Sequence, residues 1–101
     1  MDPERLSDIQ IADVVRSTAG RDEGKLFYVI GTDPVYLSLA NGKDRTLDKP
    51  KLKKRRHIEM VLRSETRVAE KLRLGDKVLN SELRRDLAYF SQKLQANNLG
   101  G

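Results

Sequence analysis

The chain has 101 residues, 38% of them hydrophobic and 35% charged, with no cysteine and a formal net charge of +5. That length suits one domain with a modest core, and the lack of cysteine excludes disulfides and thiolate metal sites. No apolar run approaches the ~20 residues of a membrane span, and the polar start MDPERLSDIQ lacks the basic and apolar regions of a signal peptide, so a cytoplasmic protein is expected.

Residues 9–18 (IQIADVVRST) are β-branched and partly alternating, which predicts a first strand. Gly20 and Gly24 bracket a short polar loop. Residues 25–30 (KLFYVI) form a second strand, closed by the turn residues Gly31-Thr32-Asp33-Pro34. Residues 35–40 alternate, with Val35, Leu37 and Leu39 on one face and Tyr36, Ser38 and Ala40 on the other. Asn41-Gly42 carries the strongest short-range hairpin signal, so a fourth strand is expected over residues 43–47. Pro50 then ends the sheet or starts an edge.

A basic run follows. Residues 49–57 (KPKLKKRRH) hold six Lys or Arg and no acid, while the other 92 residues carry 14 basic against 15 acidic side chains. The whole positive excess therefore lies in one short segment on a near-neutral body, the pattern of a docking surface for a polyanion.

Residues 57–62 supply a last short strand, and the period then changes. Ser64 is the expected N-cap of a helix over residues 65–74 that stops at Gly75. A second helix, capped by Asn80 or Ser81, runs to about Gln95 and aligns Leu83, Leu87, Phe90 and Leu94 in an apolar stripe. Residues 97–101 are expected to fray. Short strands joined by tight turns favour a small antiparallel barrel over residues 1–62, basic run included, with a helical extension over residues 63–101. In the second strand Leu26, Tyr28 and Ile30 are assigned to the barrel core, yet Phe27 and Val29 on the opposite face are also apolar. Such a strand needs cover on both faces, and the helical stripe is the expected cover.

The segment from Val14 to Leu26 (VVRSTAGRDEGKL) resembles the KOW motif, a strand, a loop with glycines four apart and a second strand. The Ala40-Asn41-Gly42 turn, the Leu47-Asp48-Lys49-Pro50-Lys51 lead into the basic run, and the Val68-Ala69-Glu70-Lys71-Leu72 and Ser81-Glu82-Leu83-Arg84 segments extend the likeness. Together they are similar to small bacterial KOW-domain RNA-binding proteins, themselves akin to a KOW-containing large-subunit ribosomal protein of archaea and eukaryotes. The resemblance implies an SH3-like β-barrel, RNA binding, and a place in translation or ribosome biology. Glu23 at the loop tip departs from the family pattern, in which a basic residue is common; an acid there repels phosphate.

Clustered cations bind RNA by releasing condensed counterions, so Lys49, Lys51, Lys53, Lys54, Arg55 and Arg56 are candidate RNA contacts. The segment shows no apolar face, and its side chains are expected to fan outward. The competing reading is a solvated link between barrel and tail. Gly20 and Gly24 permit positive φ and a close backbone approach, and Arg16, Arg21 and Lys25 around them form a second candidate phosphate-binding edge. Of the few aromatics only Tyr36 is expected to face outward, which favours backbone and shape recognition of structured RNA over base readout, and the family resemblance implies ribosomal RNA as the target. His57 is the only histidine and has no partners for a zinc set. No nucleophile elbow and no P-loop occurs, so neither an enzyme, a cofactor nor a small-molecule substrate is expected. The alternative function is a protein-interaction module of the transcription or translation machinery, docking through the Leu83/Leu87/Phe90/Leu94 stripe.

Overall fold

The computed structural model of the chain describes residues 8–100. Five strands, β1 (Asp13–Ser17), β2 (Leu26–Thr32), β3 (Tyr36–Ala40), β4 (Lys51–Lys54) and β5 (Ile58–Arg63), precede two helices, α1 (Arg67–Leu74) and α2 (Asn80–Gly100). The strands form one antiparallel sheet in the order β4-β3-β2-β1-β5, with β4 and β5 as unpaired edges joined by a 3-10 turn over Arg55–His57. None of the helices among the described residues is long and apolar enough to cross a membrane.

The first strand starts later than its β-branched run. Ala12 adopts a φ of 75°, and the Asp13 carboxylate accepts from the Gln10 N–H at 2.8 Å, so residues 9–12 turn before the ladder begins. The predicted fourth strand over residues 43–47 does not form. Asn41 Oδ1 accepts from the backbone N–H groups of Lys43 and Arg45, and Asn41 N–H donates to the Arg45 carbonyl. An Asx-type turn thus closes at Arg45 and leaves only a bridge between Thr46 and Lys49. The strand that pairs with β3 is instead drawn from the basic run: β4 begins just after Pro50 and forms an edge, where a missing N–H costs nothing in the ladder.

The register assigns the two faces of the sheet. Val14 faces Tyr28, which faces Ala40; Val15 faces Phe27, and Val29 faces Leu39. Tyr28, with Val14, Ala40 and the partly buried Leu26 and Ile30, packs under Val68, Ala69, Leu83, Leu87 and Phe90 of the helices. Phe27 and Val29 cluster with Val15, Leu37, Leu39 and Ile58, a group to which neither helix contributes. Both faces of β2 are covered, as its composition requires, but the assignment is reversed. Tyr28 and its neighbours lie beneath the helices, while Phe27 and Val29 lie in the hollow of the sheet. Burial of residues from β1, β2, β3 and β5 without a second layer requires the sheet to curl, and irregularities at Val14/Val15 and Val29/Gly31 bend it. Val35, expected inside with Leu37 and Leu39, lies before β3 and is 54% exposed.

The reversal has a chemical reason. The Tyr28 hydroxyl donates to Asp86 Oδ2 at 2.6 Å and lies 2.9 Å from Ser64 Oγ, partners that only the helical side supplies. Thr66 Oγ1 also donates to Asp86 Oδ2, at 2.6 Å, and accepts from the Ala69 N–H as the N-cap of α1. Thr66, rather than Ser64, therefore starts this helix, and Ser64 serves the buried cluster. At the other end Gly75 is left-handed at φ 75° and caps the last carbonyls. Helix α2 continues past Gln95 to Gly100, and Gly101, the last residue of the segment expected to fray, lies outside the described residues. Its N-terminus sits hard against the Asn41-Gly42 turn: a Cβ on Gly42 would lie 2.2 Å from the Asn80 carbonyl oxygen, and the Gly42 φ is 76°.

Two consequences can be measured. Leu83 is fully buried, so Leu83→Ala should lower the unfolding free energy by about 2–5 kcal/mol in urea titration. Burial, aided by the hydrogen bond to Asp86, pushes the Tyr28 hydroxyl up to about 12 from its ordinary 10.0. A raised value means the folded state favours the neutral phenol, a contribution intact below pH 10 and lost as pH rises towards 12. Unfolding titrations across that window should show an alkaline loss of stability that Tyr28→Phe diminishes.

Candidate nucleic-acid interface

Folding of the basic run as a strand divides its side chains between two faces. Lys53 pairs with Leu37 and Lys51 with Leu39, so both lysines share the face of the inner cluster, whereas Leu52 and Lys54 lie opposite Ser38 and Tyr36 on the outer face. The expectation that the run fans outward is thus corrected: alternation sends two of its cations inward.

What receives them is Asp22, in the loop between Gly20 and Gly24. Its Oδ1 accepts from Lys53 Nζ at 2.8 Å and from Ser17 Oγ at 2.7 Å, and Lys51 Nζ lies 2.9 Å from Oδ2. Lys53, only 8% exposed, also donates to the Ala19 carbonyl. Burial disfavours the Asp22 carboxylate, but the hydrogen bonds from Lys53, Ser17 and Lys51, with the charge of Lys53, more than offset it. The carboxyl is held well below its ordinary 3.8. Gly20 shapes this nest in two ways. Its φ of +84° is left-handed, and a Cβ there would stand 3.3 Å from Lys53 Nζ. Gly24, at φ +90°, has open space around it and is required by its backbone alone.

The remaining candidates divide further. Lys25 Nζ bridges to Asp44 Oδ2 at 2.7 Å, and Arg16 reaches Glu59 of β5 at 3.6 Å. Arg55 Nε donates to the Asp33 carbonyl at 2.8 Å, and its backbone N–H to Val35, binding the 3-10 turn to the start of β3. By contrast Arg21, Lys54 and Arg56 are exposed and form no salt bridge or side-chain hydrogen bond with any described residue. Lys49 is exposed as well and adds its charge beside Asp48. The structure brings Arg21, Lys25 and Lys51 together around one cavity of about 210 Å³ and leaves Arg16 against β5.

Arg45 completes that cavity and was not among the residues singled out from sequence. Read as part of a strand, it had no reason to converge with Arg21. The available signal was the Asn41 side chain, whose capacity to close an Asx turn brings residue 45 back toward the loop. Glu23 is exposed and lines neither this cavity nor the larger one beside α2. The apolar stripe of α2 is used internally: Leu83, Leu87 and Phe90 are buried against the sheet and Leu94 is partly covered.

No protein-family model and no curated protein matches the chain.

The Asp22 nest makes a definite prediction for stability. Asp22→Asn leaves Lys53 charged in a buried place and should cost about 3 kcal/mol, measured by chemical denaturation. Lys53→Met in the same background should recover much of it, making the pair strongly non-additive. A depressed folded value also means that Asp22 contributes stability above its ordinary 3.8, lost as pH falls below it. The acid limb of the stability curve should therefore flatten in Asp22→Asn.

Proposed function

We propose that this protein binds structured RNA through its phosphates and acts in translation or ribosome biology, as a member of the KOW-type proteins that its sequence resembles. The observation that carries the reading is the division of the basic run by β4. Two lysines neutralise Asp22 and build the loop, so the loop and the edge strand form one body. Lys49, Lys54 and Arg56 remain exposed on the run, as do Arg21 in the loop and Arg45 in the turn. A structural linker would have no need of such an ordered partition, and unpaired cations on a rigid edge meet a phosphate line without first losing conformational freedom.

The barrel expectation has support of the same kind. In the sheet order β4-β3-β2-β1-β5 the last strand returns to pair with the first, and a 3-10 turn links the two edges. That arrangement fits an SH3-like barrel left open between β4 and β5. Recognition by backbone and shape agrees with a surface in which guanidinium and ammonium groups far outnumber exposed rings.

Salt dependence tests the mechanism. If Arg21, Arg45, Lys49, Lys54 and Arg56 each neutralise one phosphate, the log–log slope of affinity against salt should lie near about −3 to −5. Lys54→Glu with Arg56→Glu should weaken binding severalfold and reduce that slope while leaving the melting temperature unchanged. An affinity indifferent to salt would overturn the reading.

A further inference from the structure

Two cavities meet at the Lys25–Asp44 bridge. The smaller, about 210 Å³, is lined by Arg21, Arg45 and Lys51. The larger, about 470 Å³, lies between the sheet and α2, with an apolar wall of Leu26, Leu87 and Ala88 and a polar rim that includes Lys43, Arg84 and Ser91. Lys25 and Asp44 line both. Their bridge spans 2.7 Å with each side chain about half exposed, so the partition stands at the surface.

The two compartments differ in chemistry. In the smaller, Asp22 is matched by Lys51 and Lys53 and Asp44 by Lys25, which leaves the guanidinium groups of Arg21 and Arg45 without a partner among the described residues. Planar forks of this kind suit the paired oxygens of a phosphate. In the larger, an apolar wall backed by the core faces a rim of mixed donors and acceptors, in which Arg84 already donates to the Gly42 carbonyl. Its volume falls in the range of roughly 300–1,000 Å³ typical of small-ligand sites. A ligand that fits both carries an anion at one end and a flat, largely apolar group with hydrogen-bonding edges at the other.

We propose that this bipartite site takes one unstacked nucleotide of an RNA, its phosphate between Arg21 and Arg45 and its base against the Leu26/Leu87/Ala88 wall. The inference rests on the RNA-binding reading above and adds to it a structural feature of the target: a bulged or looped-out residue, since a base stacked inside a helix cannot reach the wall. It also gives the helical extension a direct part in recognition, because Leu87, Ala88, Ser91 and Arg84 all belong to α2.

The test compares the full chain's affinity, by fluorescence anisotropy at fixed salt, for two RNA hairpins that differ by a single bulged adenosine, with free adenosine monophosphate as competitor. The bulged hairpin should bind about tenfold more tightly, the usual effect of one seated base. Ala88→Trp fills the larger cavity from the exposed side of α2. It should reduce the bulged hairpin to the affinity of the paired one, without altering the paired one. Ser91→Trp should do the same from another position, which guards against a folding defect in the first variant. Arg45→Glu should weaken both hairpins. Equal, salt-dependent binding of both hairpins by the unmodified chain overturns this inference and leaves the phosphate-contact reading standing; failure of both to bind takes down the two together. A bulge preference that survives both tryptophan variants also overturns it. So does adenosine monophosphate displacing both hairpins equally, which assigns the cavities to a free nucleotide.

Discussion

The structure depends on a strand that is apolar on both faces. Phe27 and Val29 project into the hollow of the sheet and Tyr28 projects beneath the helices, all three fully or almost fully buried. A sheet with one solvated face could not accommodate this strand, so the chain must curl the sheet on one side and lay helices on the other. The tail is accordingly part of the fold. Its stripe covers the outer face of β2, and the Tyr28–Asp86–Thr66 hydrogen bonds fix the position of both helices on it. An all-apolar contact would slide more easily; a buried hydroxyl with a carboxylate partner holds one register.

Asp22 plays the corresponding part at the opposite edge. An acid in a loop expected to meet phosphate looks, in isolation, like an obstacle to anion binding. Here it gathers Lys51 and Lys53 from β4 and joins the glycine-bracketed loop to the edge strand. One unit of positive charge is balanced in doing so, though both ammonium groups are tied to the carboxylate, and Lys49, Lys54 and Arg56 of the run stay exposed. The proposed RNA surface is therefore smaller in charge than the basic run but better ordered, and it gains Arg45 from a turn that brings it beside Arg21.

The line between what was legible and what was not follows sequence distance. Leu83, Leu87, Phe90 and Leu94 lie on one helix face by spacing alone, and Gly75 stops α1 for the local reason that only a left-handed residue ends it cleanly. The two apolar faces of β2, and hence the need for two covers, could also be read directly. Which cover lies on which face could not. That depended on a hydroxyl meeting Ser64, Thr66 and Asp86, residues at least 36 positions away along the chain. Likewise Asn41-Gly42 signalled a turn, but the closing bonds from Asn41 Oδ1 decided that no strand followed it at residue 43.

By itself, then, the sequence determined that positive charge concentrates in residues 49–57, that strands give way to helices near residue 63, and that Leu83, Leu87, Phe90 and Leu94 form one apolar stripe. These are sums and periodicities along the chain, and they need no partner to be named. Only the tertiary structure decided which of those charges remain available. Lys53 and Lys54 are neighbours of the same type, yet one lies buried on Asp22 and the other lies exposed beside Tyr36. Strand alternation turns adjacent side chains to opposite faces, and whether an inward lysine meets a carboxylate is settled by a loop some thirty residues earlier in the chain.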